Sequence, residues 1–397
     1  MSGRIAIVGG HVVPVAGPEL PGGTVLIRDG RIEAVGPDIA IPDDAEVVDA
    51  RGLWVLPGFV ESHAHVGVHE ESSGTSGDDT NESATPVTAG IRALDGINVA
   101  DPGFSDALLG GITTVVVKPG SSNPFGGQAV AIKTGGGPTV DSRTLSASTG
   151  VKSALGENPK SVHGAAGRSP VTRMGVAMVI REALSDARRA AEAGEPPADL
   201  HAEALAALLR GELAWDVHAH RHDDIATAIR IADEFGLRLV INHGTEAYRL
   251  PGEIAAGEHR VILGPLFSAR SKVELAGHRT TTAAVLNEAG ITLALTTDHP
   301  EVPIQLLVVQ AAYAMREGLP RDAALRAITE TPAAIYGLAE RIGSLAPGRD
   351  GDVVVWSGDP FDAQSRVERV YIDGREVHAR LSVEDDTGAT HHEGGRT

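Results

Sequence analysis

The segment FVESHAHVGVHEE, Phe59–Glu71, sets two histidines, His63 and His65, one residue apart at the end of an apolar run. In a strand, side chains at i and i+2 point the same way. Both imidazoles therefore share a face with Phe59 and Glu61. In a closed parallel barrel that face is the interior, and the strand's C-terminal end opens on the side where such barrels carry their chemistry. Two neutral imidazoles at this spacing can grip one divalent cation. Alone the pattern is weak, because surface and core histidines produce it as readily. Its meaning depends on what the rest of the chain places beside it.

Downstream, apolar runs alternate with helical ones. VESHAH is followed by ITTVVVKP, VKSALG, AWDVHAH, RLVINH, RVILG and ITLALTTD. Such alternation argues for a parallel α/β core. One more strand is needed to close a barrel of eight, and it lies in QAVAIKTG or TLSAST. Residues 171–194, 197–211, 223–236, 303–317 and 320–338 read as helices. Within the third, Ile225, Ala228, Ile229 and Ala232 mark one face and Gly236 is a C-terminal stop. Pro332 should break the last. The ends have a different texture. Residues 1–58 and 343–381 carry β-branched runs broken by Gly, Pro and two hairpin signals, Asp29-Gly30 and Asp373-Gly374. They suggest one composite small sheet domain flanking a core over 59–342, while the polar, Gly-rich residues 382–397 read as a disordered tail.

Composition narrows the class. The chain has 397 residues, 42% hydrophobic and only 3% aromatic, so its core is built from Val, Ile, Leu and Ala. That suits strands buried under helices on both faces. A net charge of −19 repels phosphate backbones and anionic membranes, which argues against nucleic-acid or membrane partners. No cysteine is present, so a metal site must use His, Asp, Glu or a modified Lys. The N-terminal stretch lacks a signal-peptide pattern and no apolar run is long enough to span a bilayer, so a cytoplasmic enzyme is the expectation.

Against that background the other strand ends become informative. His218 and His220 end AWDVHAH, His243 ends RLVINH and Asp298 ends ITLALTTD. Chance rarely places these residues all at strand C-termini of one parallel array. His220 lies nearer the strand mouth and is the better ligand of its pair; His218 has the same parity and suits a supporting or substrate-binding role. Asp298 could instead cap the helix after TTDHP, but its company favours catalysis.

LPGFVESHAH, AHRHDDI, NHG and TTDHP, with the closing IGSLAPGRDGDVVVWSGDP, resemble the amidohydrolase superfamily, specifically its imidazolonepropionase-like branch. The resemblance runs from Arg4 to Val377. It implies a distorted (β/α)8 TIM barrel with a small β-sandwich domain formed by both termini, and one or two divalent ions, commonly zinc. By resemblance His63 and His65 hold the buried metal, and His220 and His243 hold a second or orient the substrate. Asp298 ligates the first metal and serves as general base, then acid. Many relatives bridge two metals with a carboxylated Lys, others with a Glu. Here GVKSALGENPK offers Lys152 and Glu157, and Glu157, at the turn after the apolar run, is preferred. Lys152 lies deeper, where a lone ammonium is costly unless paired or modified.

Several loops should reach the same face. The loop after the second strand brings Asn123, HGAAGRSPVTRMG brings His163 and Arg173, and GPLFSARSKVEL brings Arg270 and Lys272. With His218, the residues Asn123, His163, Arg173 and Arg270 are candidate substrate contacts; basic groups in so acidic a chain suggest an anionic substrate group. EESSGTSGDDTNESATP reads as an entrance loop or lid. The leading expectation is a metal-dependent hydrolase cleaving an amide or cyclic amide of a small molecule. Deamination, decarboxylation or isomerisation on the same site is the alternative, and a scaffold without activity the remaining one. Exposed helix faces such as QLLVVQAAYAM could bury against a second copy, giving a homo-oligomer.

Overall fold

The computed structural model describes residues 3–267 and 269–380. The reading of 382–397 as disordered lies outside the described residues. Two eight-stranded sheets organise the chain.

The first sheet contains β1 (Arg4–Val12), β2 (Leu20–Arg28), β3 (Arg31–Gly36), β4 (Ala45–Asp49) and β5 (Trp54–Pro57). From the other end of the chain come β14 (Val353–Trp356), β15 (Val367–Ile372) and β16 (Arg375–Ala379). The order is β16-β15-β14-β5-β1-β2-β3, with β4 beside β1. The ends are joined by the antiparallel pairing of β5 with β14, Trp54 opposite Trp356. Both Asp-Gly hairpin signals are realised: Asp29 and Gly30 have φ of 51° and 81°, Asp373 and Gly374 of 49° and 67°. Positive φ at both central residues is what a tight two-residue hairpin needs, and Gly reaches it without strain. A core of Ile7, Val25, Ile27, Val55, Leu345, Val353, Val355 and Tyr371 draws on both ends.

The second sheet is the barrel: β6 (Phe59–Ala64), β7 (Ile112–Val117), β8 (Gly127–Lys133), β9 (Thr144–Ala154), β10 (Ala214–Ala219), β11 (Leu239–His243), β12 (Arg260–Leu263) and β13 (Leu293–Leu295). The missing strand is QAVAIKTG, which forms β8; TLSAST is the first half of β9. The barrel departs from an all-parallel one, because β8 runs antiparallel to both β7 and β9. Residues 118–126 between β7 and β8 hold no crossover helix, so the chain can only fold back. The seam between β13 and β6 is laced by side chains rather than a ladder. Ser62 Oγ donates to Leu295 O (3.1 Å), and the single hydroxyl of Thr296 lies 2.7 Å from His63 O and 2.6 Å from Glu61 Oε1. The buried Glu61 carboxylate also accepts from His63 N, Thr297 N and Thr297 Oγ1. Burial nonetheless pushes it above the ordinary carboxyl range.

The helix His222–Phe235 buries Ile225, Ala228, Ile231, Ala232 and Phe235 and ends on Gly236 at φ 69°. Ile229, expected on that face, is only partly covered, and Ile231 takes the better-packed position. Pro332 does not break a helix. The interruption falls at residues 327–329, and Pro332 sits in the first turn of Glu330–Ile335, where its missing N–H has no helical acceptor anyway. Among the described residues no helix is long and apolar enough to cross a membrane.

Candidate metal centre

The strand ends converge as their parity requires. Two groups of donors form, His63 with His65 and Asp298, and His218 with His220 and His243, the ligand atoms within each group lying within 4.8 Å of one another. The groups abut: the His63 and His243 rings are 4.9 Å apart, centroid to centroid, and His218 and His243 are 4.4 Å apart. Asp298 Oδ1 lies 3.4 Å from His63 Nε2 and 3.5 Å from His65 Nε2. His243 and Asp298 both have positive φ, 71° and 54°. Non-glycine residues seldom adopt this region, and such backbone concentrates at functional sites.

The second ring nitrogens are tied down. His63 Nδ1 faces Asn242 Oδ1 (2.8 Å), His65 Nδ1 faces Lys118 O (2.8 Å), and His243 Nδ1 faces Gly264 O (3.0 Å). His220 Nδ1 faces Thr245 Oγ1 (2.8 Å) and His218 Nδ1 faces Ser121 Oγ (3.0 Å). A carbonyl oxygen beside Nδ1 demands a proton there and leaves Nε2 as a lone pair. His63 Nε2 is buried with no hydrogen-bond partner. That orphaned nitrogen, together with the neutral-imidazole and carboxylate donors around it, fits a divalent cation of the zinc type.

Burial and neighbouring charge disfavour protonation of His63, His218, His220 and His243. Burial, with neighbouring positive groups, pushes His63, His218 and His220 well below the ordinary histidine range, and His243 to about 4. Burial alone would raise the Asp298 carboxyl, but His243, His65 and Lys152 outweigh it and hold it at about 2.

The two bridging candidates sit in different surroundings. Lys152, on β9, is fully buried, with Nζ 3.1 Å from Pro119 O and 3.1 Å from Ser121 Oγ. Burial first, then the charge of Lys118, pulls its ammonium down to about 7. Glu157, preferred from sequence, opens the helix Glu157–Ala165 and belongs to neither donor group. The reason is local. Gly156 turns the chain at φ 87°, and the Glu157 N–H donates to Glu274 Oε1 (2.7 Å), which ties that helix start to a buried carboxylate.

A cavity of about 800 Å³ opens over the donors, lined among others by His65, His218, His220, Asp298, Asn158 and Lys272. Of the expected substrate contacts, His218 lines it, and its ring completes the second donor group. The others do not. Asn123 donates to Glu82 O and Thr88 Oγ1 and meets His163 Nε2 at 2.9 Å, so both are consumed in loop packing. Arg173 bridges Asp224 and Glu274. Arg270 is exposed and stands outside the lining, whereas its neighbour Lys272 is part of it. The entrance loop is pinned rather than free-standing: His69 bridges to Asp78, and His69, Asp78, Thr80 and Asn81 form one wall.

Sequence reasoning passed over Lys118, Asp216, Asn242 and Tyr336, which form a buried polar set under the donors. The available signal was a lysine closing the run ITTVVVK, where an apolar barrel strand offers no solvent for its charge.

Comparison with known proteins agrees with this architecture. The model of the amidohydrolase family matches residues 54–377. The solved amidohydrolase from Thermotoga maritima MSB8 is 44% identical with a TM-score of 0.91, over 95% of this chain and 100% of that one. An imidazolonepropionase of Acidiphilium cryptum (strain JF-5) is 28% identical over 380 residues, 86% of this chain and 88% of that protein. Amidohydrolase tasK of Hapsidospora irregularis is 31% identical over 386 residues, covering 89% of this chain; the chain spans only 39% of that relative's length.

Proposed function

This chain belongs to the amidohydrolase family, as an imidazolonepropionase-like member, and from that premise we propose that it hydrolyses an amide or cyclic-amide C–N bond of a small anionic molecule. The observation that carries the reading is the pair of abutting donor groups, in which Nδ1 of each histidine has a partner and one ligand atom per residue lies within 4.8 Å of the others in its group. His63, His65 and Asp298 would hold one divalent ion. His220 and His243, with His218 beside them, would hold a second, and zinc suits both sets. We assign the bridging position to Lys152 in place of Glu157. A lysine at about 7 is partly neutral at physiological pH, so its amine can add carbon dioxide, lose a proton and become a carbamate oxygen donor. A divalent ion in this place would acidify water and polarise a carbonyl.

The chain's own groups supply the rest. Asp298, ionised throughout the working range, takes a proton from the attacking water on a carboxylate oxygen and returns it to the leaving nitrogen. Lys272 faces the cavity with no carboxylate ion pair among the described residues, and its nearest polar partner is Asn158 Oδ1 at 3.5 Å. Its charge reaches His218, His220 and His243. Lys272, rather than Arg270 or Arg173, therefore takes the substrate's anionic group. The test is product analysis on zinc-loaded protein across N-acyl amino acids, lactams and aminated heterocycles. Ring opening or deacylation of carboxylate-bearing compounds is expected. Ammonia release from the heterocycles alone would replace hydrolysis by deamination.

A further inference from the structure

We propose that Lys118 is a positioning residue that fixes the ring tautomers of both His63 and His65, and thereby sets how strongly the pair takes a cation. The proposal rests on the metal reading above, but it concerns the metal-free chain and is tested there.

Lys118 follows β7 directly and uses two different groups. Its backbone carbonyl accepts from His65 Nδ1 at 2.8 Å. Its ammonium acts through Asn242: Nζ donates to Asn242 Oδ1 at 2.8 Å, and the same oxygen accepts from His63 Nδ1 at 2.8 Å. A side-chain amide can present either its oxygen or its NH2 group to an imidazole, with opposite consequences for the ring proton. Here the choice is forced. An ammonium has no lone pair, so the atom it touches must be the oxygen. The other amide atom, Nδ2, faces two acceptors, Asp216 Oδ1 at 3.1 Å and Val240 O at 3.3 Å. The amide is thus locked, His63 carries its proton on Nδ1, and the orphaned Nε2 is a lone pair aimed at the cation site.

The lock is itself braced. Lys118 Nζ also donates to Asp216 Oδ1 (2.8 Å) and to Tyr336 OH (2.6 Å), and Tyr336 OH donates to Asp216 Oδ1 (2.9 Å). Lys118, Asp216 and Asn242 are wholly buried, so no water competes for these positions. Remove the ammonium and the amide oxygen loses the donor that holds it while Asp216 loses its countercharge, so that only the bonds of Nδ2 to Asp216 and Val240 oppose a turn of the NH2 group towards His63. Such a turn drives the ring proton to Nε2 and blocks the lone pair. His65 is unaffected, because its partner is backbone. An ordinary buried ion pair would not produce this asymmetry.

The experiment is ring-nitrogen NMR of metal-free, histidine-15N-labelled protein, alongside zinc affinity by chelator competition. Wild type is expected to show both rings protonated at Nδ1. Lys118→Met is expected to shift His63 towards the Nε2–H form, leave His65 unchanged and weaken zinc about 10–100-fold. Asn242→Asp keeps an oxygen acceptor for His63 and is expected to retain the Nδ1–H form. A wild-type His63 protonated at Nε2, a Lys118→Met protein with both ring and affinity unchanged, or loss of the Nδ1–H form in Asn242→Asp would overturn the proposal. If Lys118→Met does not fold, the wild-type and Asn242→Asp spectra decide. Tight zinc binding without hydrolysis of any compound would remove the proposed activity and leave this inference standing. A tautomer shift without a change in affinity would do the reverse.

Discussion

Arg173→Leu separates a packing role from a substrate-binding one. The guanidinium Nε lies 3.0 Å from Asp224 Oδ2, and Nη2 lies 2.6 Å from Glu274 Oε1. Both carboxylates are buried, at 4% and 1% exposure, while Arg173 itself is partly exposed. Removing one partner from a buried ion pair costs about 3–5 kcal/mol, because the remaining charge stays out of water. Arg173 is itself 31% exposed and solvent screens part of the loss, so the lower part of that range is expected. Burial already pushes both carboxyls above their ordinary values, against the arginine's pull. The sign for pH follows. A carboxyl whose folded pKa lies above its unfolded one destabilises when ionised, and the folded chain is favoured as pH falls through that raised value. Without the arginine both values rise further. The stability gap between Arg173→Leu and wild type should therefore be widest near neutral pH and narrow as the solution is acidified. Urea unfolding of both proteins across that range measures the gap, and steady-state kinetics on the same samples supplies KM. A gap below about 1 kcal/mol together with a raised KM would refute the packing account and return Arg173 to the substrate.

Other outcomes follow from the donor geometry. Asp298→Asn keeps a residue that tolerates positive φ, so the protein should fold with an unchanged circular dichroism spectrum while kcat falls about 10²–10⁴-fold. Lys152→Met should lower zinc stoichiometry, read by elemental analysis, because the group proposed between the two donor sets is gone, and added bicarbonate should not restore it. Lys272→Met should raise KM for carboxylate-bearing substrates by about 1.5–3 kcal/mol, tenfold or more. It should leave neutral analogues nearly unchanged in the same assay.

Much of this was legible from sequence because parity and strand position are local properties. His63 and His65 must share a side, and residues that end parallel strands must meet at one mouth. The direction of β8 was not legible, since a short run such as QAVAIKTG has the same pattern whichever way it pairs. Glu157 and Lys152 have surroundings that position alone does not reveal. Their difference comes from the turn at Gly156 and from Glu274, which is distant in sequence and captures the Glu157 amide. The engagement of Arg173 was hidden for a related reason: a basic residue near a loop mouth reveals nothing of the buried acids that claim it. Lys118 escaped notice because its partners come from three other segments, around Asp216, Asn242 and Tyr336.

The sheet assembled from both ends of the chain has a consequence during synthesis. On the ribosome, β1 to β5 emerge early and can pair with one another, but the free edge of β5 waits for β14, which leaves the exit tunnel only after the entire barrel has been made. Throughout that interval the nascent protein displays a bare strand edge beside the half-finished apolar face of Ile7, Val25 and Val55, the kind of surface that recruits neighbouring chains. Premature stops anywhere before Val353 therefore leave every release product with an adhesive flank, whatever the state of its histidines.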